Sequence, residues 1–179
     1  MSSSIDATPD AGKLPLALDR DLFLRRLLRD LSGVLEEVVG LREAEGFIAV
    51  VGQRMADWMN DEYRHAFGVK TLDPDQLAAT LVDLKRRIQG GFRIESIDAA
   101  GMVLVNDRCP FGEFVRGRES LCQMTTSVFG TLAAENLGHA FVHIDEALAR
   151  GDARCRVRVR FGLAGASEGG VEFLRGVRA

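Results

Sequence analysis

Cysteine is absent from the first 108 residues, and the whole 179-residue chain holds only three. An odd, sparse count excludes a disulfide-stapled scaffold and fits a reducing compartment. Proline is scarce as well: there are four, and Pro9 and Pro15 both precede the first patterned segment. No apolar run approaches the roughly 18 residues that a bilayer-spanning helix needs. The opening Met1-Ser2-Ser3-Ser4-Ile5-Asp6 lacks the basic and apolar regions of a signal peptide. A cytoplasmic location without membrane contact is therefore expected. Charge of one sign is lacking too. Lys and Arg number 23 against 26 Asp and Glu, a net charge of −3, so binding nucleic acid by bulk positive charge is not expected. Gly-x-Ser-x-Gly, the P-loop, Gly-x-Gly-x-x-Gly and His-Glu-x-x-His are all missing.

The residues present are those of an ordinary globular protein, 46% hydrophobic and 27% charged. Residues 1–18 read as a disordered tail rich in Ser, Asp and Pro. From Asp19, Phe23, Leu24, Leu27, Leu28, Leu31, Val34, Leu35, Val38 and Val39 recur at three- and four-residue steps, which predicts an amphipathic helix stopping at Gly40. Its apolar face is wider than a lone surface helix needs, so residues 19–40 are expected to be a helical arm that dimerises the chain, the alternative being a cap on its own domain. A second helix spans about 42–66, with Phe47, Val50, Val51, Met55, Trp58 and Met59 read as inward. The alternative, a cofactor pocket lined by Trp58 and its neighbours, is the less common use of such a stripe. Asp73-Pro74-Asp75-Gln76 carries an N-cap, a first-turn proline and a capping-box glutamine, and starts a third helix with the stripe Leu77, Leu81, Leu84 and Ile88.

Beyond Gly90-Gly91 the period changes to that of strands. Residues 92–98 and 102–106 form one hairpin, residues 117–137 a helix, and residues 140–145 and 154–161 a second hairpin. In the last strand Cys155, Val157, Val159 and Phe161 alternate with Arg154, Arg156, Arg158 and Arg160. The first set is expected on a core. The arginines are expected on a wet sheet face, balanced by carboxylates such as Glu95 or Asp145. The fold class is α+β: N-terminal helices, then a mainly antiparallel four-stranded sheet made of two hairpins separated by a helix. Residues 41–162 form the α+β domain, and 163–179 a loose tail in which residues 171–174 alone have docking character.

The three cysteines carry the chemistry. Cys109 follows a strand in a loop, Cys122 lies near a helix start where the positive dipole end favours a thiolate, and Cys155 opens a strand. These three places converge at one end of the sheet. No Cys-x-x-Cys or zinc-ribbon spacing occurs, so a closed structural zinc site is not signalled. Three thiolates would leave a fourth position for Asp107, Glu113, His143 or a small ligand, an arrangement that suits an iron–sulfur cluster or a labile metal. Two alternatives stand beside it. In one, the cysteines are core residues and a small organic ligand binds between the helices and the sheet. In the other, the chain is a Cys-dependent enzyme, for example through Cys109 and His143, although the spacing does not select that couple. His139 and His143 share a strand face with Phe141 and Asp145, and their plain reading is as surface or edge residues.

The segment Asn106-Asp107-Arg108-Cys109-Pro110-Phe111, with Cys122 thirteen residues on and a third cysteine in the following hairpin, resembles the methanogen output domain family of type one. The likeness runs from about Leu41 to Phe161. The resemblance implies a small sensory module of the kind found beside PAS, GAF and histidine-kinase domains, thought to bind a small molecule. The same cysteine order is similar to the C-terminal half of winged-helix repressors that sense iron–sulfur clusters. That implies Cys109, Cys122 and Cys155 as cluster ligands, without the DNA-binding segment of those repressors. The expectation is a homodimeric sensor that passes redox or ligand state to a histidine kinase or other regulator.

Overall fold

The computed structural model describes residues 15–162 and 170–176. In chain order it runs α1 (Arg20–Val39), α2 (Leu41–Phe67), α3 (Pro74–Arg87), β1 (Arg93–Asp98), β2 (Gly101–Asn106), α4 (Cys122–Leu137), β3 (His139–Glu146), β4 (Cys155–Phe161) and β5 (Val171–Leu174). Single 3-10 turns fall at Gly112–Val115, Glu119–Leu121 and Leu148–Arg150. The tails expected at 1–18 and 163–179 lie largely outside the described residues.

The helix starts follow local chemistry. At α1 the Asp19 carboxylate accepts the Leu22 N–H at 2.8 Å. At α3 the full capping box forms: Asp73 Oδ1 accepts from Gln76 N at 2.8 Å, and Gln76 Oε1 accepts from Asp73 N at 3.1 Å.

The sheet has five strands rather than four, all antiparallel, in the order β1-β2-β4-β3-β5. The added strand comes from the segment read as a loose tail. Val171–Leu174 pairs along β3, with His139 opposite Leu174 and Val142 opposite Val171. Phe173 fixes it by lying directly over Gly130 of α4, where a Cβ would fall 2.2 Å from the ring. Only a residue without a side chain permits that approach.

Helix α4 is apolar nearly all round because it is covered on both sides. The sheet packs on one side and α2 on the other. Phe129, Leu132, Met102, Leu104, Val142, Val157 and Val159 are all fully buried between them. Helix α2 presents to α4 a stripe of small residues, Ala44, Gly52, Ala56 and Asn60. At Gly52 an added Cβ would sit 2.8 Å from the Ser127 side chain. The inward set expected for this helix is thus corrected: Phe47, Val50, Val51 and Trp58 are exposed. Close helix approach selects small residues, so the large ones are left outside.

Strand β4 alternates as expected. Val157 and Val159 are buried, while Arg154, Arg156 and Arg158 meet carboxylates on the other face. Arg158 lies 2.8 Å from Asp145, Arg156 lies 2.9 Å from Glu95 and also pairs with Asp145, and Arg154 lies 3.0 Å from Glu146. Burial alone would raise the Asp145 carboxyl, but the Arg158 and Arg156 guanidiniums outweigh it and hold the group below its ordinary range.

Candidate functional site

At the end of the sheet where β2 finishes and β4 begins, the packing opens into a cavity of about 60 Å³. Its floor is sheet: Asn106, Ile144, Cys155 and Val157. One wall is α3 and the turn after it, with Lys85, Ile88 and Phe92. The opposite wall is the start of α4, with Leu121, Cys122, Met124 and Thr125. The segment after β2 covers it with Cys109, Pro110, Phe111 and Val115, and Ala147–Ala149 close the side. All three cysteines of the chain line this one space, so the expected convergence is found.

The thiols are free, and each is partly buried. Burial pushes all three pKa values up, Cys122 to about 12, and the neighbouring thiols of Cys155 and Cys109 raise Cys122 further. Cys155 Sγ accepts the Leu148 N–H at 3.4 Å. At neutral pH the empty cavity therefore presents protonated thiols.

The other expected ligands are elsewhere. Asp107 and Glu113 are exposed, and neither lines the cavity. By strand parity His143 stands with Arg158 on the sheet face away from α4, and its Nε2 is 3.5 Å from Asp145. His143 therefore supplies neither the fourth ligand nor the base for Cys109. Among the described residues no three His, Cys, Asp or Glu side chains are placed to hold one metal ion.

Three polar residues of the cavity were not singled out from the sequence. Lys85 is only 4% exposed. Its Nζ donates to Thr125 Oγ1 at 2.8 Å and stands over the Phe92 and Phe129 rings, 5.5 and 5.2 Å from their centroids. Burial draws its pKa down to about 8, against an upward pull from the three thiols. Asn106 is 1% exposed, and its Nδ2 donates to the Arg108 carbonyl at 3.2 Å while its Oδ1 has no partner. A sequence signal for Lys85 existed. It lies four residues after Leu81 and eight after Leu77, on the buried stripe of α3.

Helix α1 grips the segment that covers the cavity. Arg29 Nη1 donates to the carbonyls of Phe114 and Arg116 at 2.6 and 2.8 Å. Ser120 Oγ donates to Glu36 Oε1 at 2.6 Å, and Arg118 lies 3.6 Å from Glu36. Arg25 Nη2 reaches Gln89 Oε1 at 3.0 Å. On its other side α1 leaves Phe23, Leu24, Leu27, Leu28, Leu31, Val34 and Val38 exposed.

A three-layer α+β domain with an apolar cavity under a cysteine-bearing segment is the class that the geometry defines. The chain belongs to the methanogen output domain 1 family, whose model matches residues 27–160. No curated protein sequence matches it. Among solved structures it is similar to a trafficking protein particle complex subunit 3 from Naegleria fowleri covalently bound to palmitic acid. That match has 15% identity and a TM-score of 0.56 over 86% of this chain and 99% of the other. It is also similar to the phenol-responsive sensory domain of the transcription activator PoxR with phenol, at 13% identity and a TM-score of 0.56 over 86% of this chain and 81% of the other. At these identities the likeness is one of fold. No described helix is long and apolar enough to cross a membrane.

Proposed function

We infer that this output domain is a cytoplasmic small-molecule sensor whose ligand occupies the cavity beneath residues 109–121. The observation that carries this reading is the cavity itself. It gathers a buried cation, an unpartnered amide oxygen and three neutral thiols inside an apolar lining, as small-molecule sites do. Two proteins of similar fold are described with a bound organic molecule, phenol in one and palmitic acid in the other, which supports the reading.

Size sets what enters. A cavity of about 150 Å³ admits benzene, and this one is about 60 Å³. It takes a compact group as it stands, and a ring only after the covering segment lifts. That segment is held by Arg29 and Glu36 of α1, so lifting it displaces α1. The exposed apolar face of α1 then presents the change to a second copy or to a partner regulator. The chain acts in this reading as a binding domain, not as an enzyme.

The test is a 1H–15N correlation spectrum of the full chain titrated with butyrate, butyramide, phenol and toluene. Shifts centred on Lys85, Cys109, Cys122 and Thr125 and extending into α1 are expected. A panel that leaves the cavity resonances unmoved would sink the reading. A second reading keeps the iron–sulfur cluster or another metal on Cys109, Cys122 and Cys155, and is favoured by their shared cavity. It requires the thiols to ionise and draw together. An anaerobically purified sample that is brown, with matching iron and sulfide, would establish it.

A further inference from the structure

Lys85 and Asn106 are an unusual pair to find in an otherwise apolar cavity. An ammonium group buried at 4% exposure normally has a carboxylate beside it. Among the described residues Lys85 has none: its contacts are one hydroxyl and two aromatic faces. Lys85 has three donor hydrogens, and Thr125 takes one. Asn106 is fixed in orientation because its Nδ2 donates to the Arg108 carbonyl, so the unpartnered atom is its acceptor oxygen. Buried polar atoms without partners cost stability, and in native proteins they call for an explanation.

We propose that the cavity is a receptor for a small organic acid, whose carboxylate docks on the Lys85 ammonium, whose apolar remainder lies among the thiols, and whose hydroxyl, where present, donates to Asn106 Oδ1. This deepens the small-molecule reading above and rests on it. A carboxylate would supply the missing counter-charge, and a hydroxyl on the neighbouring carbon would satisfy the missing donor. The remaining wall, Val157, Leu121, Phe111 and Ile88 with the neutral thiols, suits a short alkyl chain and disfavours further charge. Among the described residues the other titratable groups lining this wall are the three thiols, which burial keeps protonated past neutrality; Arg25, Glu119, Arg150 and Asp152 act on the thiols from outside the lining.

The experiment compares butyrate with butyramide, its uncharged counterpart of equal size, by amide-shift titration of the full chain at about pH 7. Butyrate is expected to bind at least about tenfold more tightly, as a charge-assisted hydrogen bond warrants, and 2-hydroxybutyrate more tightly again. Lys85→Met should remove the advantage of butyrate and leave butyramide within about twofold. A second arm needs no variant. Between about pH 7 and 9.5 the affinity of the intact protein for butyrate should fall as Lys85 loses its proton, while that for butyramide stays level. Equal affinities, or a butyrate affinity flat with pH, would overturn the acid-receptor inference but leave the cavity as a small-molecule site. If no probe moves the cavity resonances, the small-molecule reading fails and this inference fails with it.

Discussion

The two ends of the same sheet differ in how they are filled. At one end Leu132, Ala133, Val142 and Val159 are sealed between α4 and the strands with almost no exposure. At the other, the same α4 and the same β4 splay around a cavity holding Lys85, Asn106 and three half-buried thiols. The β2–β4 pairing runs unbroken across both ends, and the β3–β4 pairing shifts register only at the hollow end, between Ile144 and Glu146. The scaffold therefore stabilises the molecule at the packed end, which leaves the hollow end free to carry polar and reactive groups that weaken packing. Function is expected where the core is incomplete, and stability where it is not.

The largest effect should come from the packed end. Leu132→Ala removes a fully buried side chain of α4, and should cost about 2–5 kcal/mol in denaturant unfolding. A loss below about 1 kcal/mol would mean that the two ends are equally loose.

Next is Lys85→Met, which should stabilise the protein. The group titrates at about 8 when folded and at 10.5 in its ordinary state. The unfolded chain therefore binds the proton more tightly. The desolvation penalty is present in full below about pH 8 and is relieved as pH rises toward 10.5. At pH 7 the variant should gain up to about 3 kcal/mol, less what is lost by leaving Thr125 without its donor. Stability of the intact protein relative to the variant should rise through that window. The raised thiols act oppositely above pH 9, and their effect cancels in the difference between the two proteins. A difference independent of pH would contradict the buried ammonium.

A pair of small-to-large changes sharpens the contrast. Ala133→Leu forces methylenes into the sealed end and should cost about 1–3 kcal/mol. Ala149→Leu, pointed at the cavity, should cost well under 1 kcal/mol and block ligand entry. Thermal unfolding of both variants checks this, and equal losses would break the comparison. Smaller still is Arg29→Ala, which frees the Phe114 and Arg116 carbonyls from α1. It should lower stability by about 1 kcal/mol and speed amide exchange across residues 112–121 without touching β3 or β4.

Much of the fold was legible because the decisive signals were local. The Asp73 capping box, the Gly40 stop and the alternation along β4 each act within a few residues, and each took its expected form. The convergence of Cys109, Cys122 and Cys155 was legible for a related reason: their positions just after β2, at the start of α4 and at the start of β4 fix their location once the sheet closes. Strand β5 was not legible, since four residues acquire strand character only from a distant partner and from the gap above Gly130. Helix α2 was read in part: Met55 and Met59 pack against the core as expected, while Phe47, Val50, Val51 and Trp58 lie outside because close packing chose small residues. Lys85 was overlooked because a lysine on an apolar stripe looks like an interruption. Asp107 and His143, expected as a possible fourth ligand beside the three cysteines, fall outside the cavity.

The central claim is that the hollow end and α1 form one mechanical unit, separate from the packed end. Hydrogen exchange of the full chain, with and without saturating butyrate, tests it directly. The expected result is altered protection in residues 109–121 and in α1 (Arg20–Val39), with β3, β4 and the middle of α4 unchanged. Protection that changes only around the cavity while α1 stays the same, or that rises uniformly through the sheet, would contradict it.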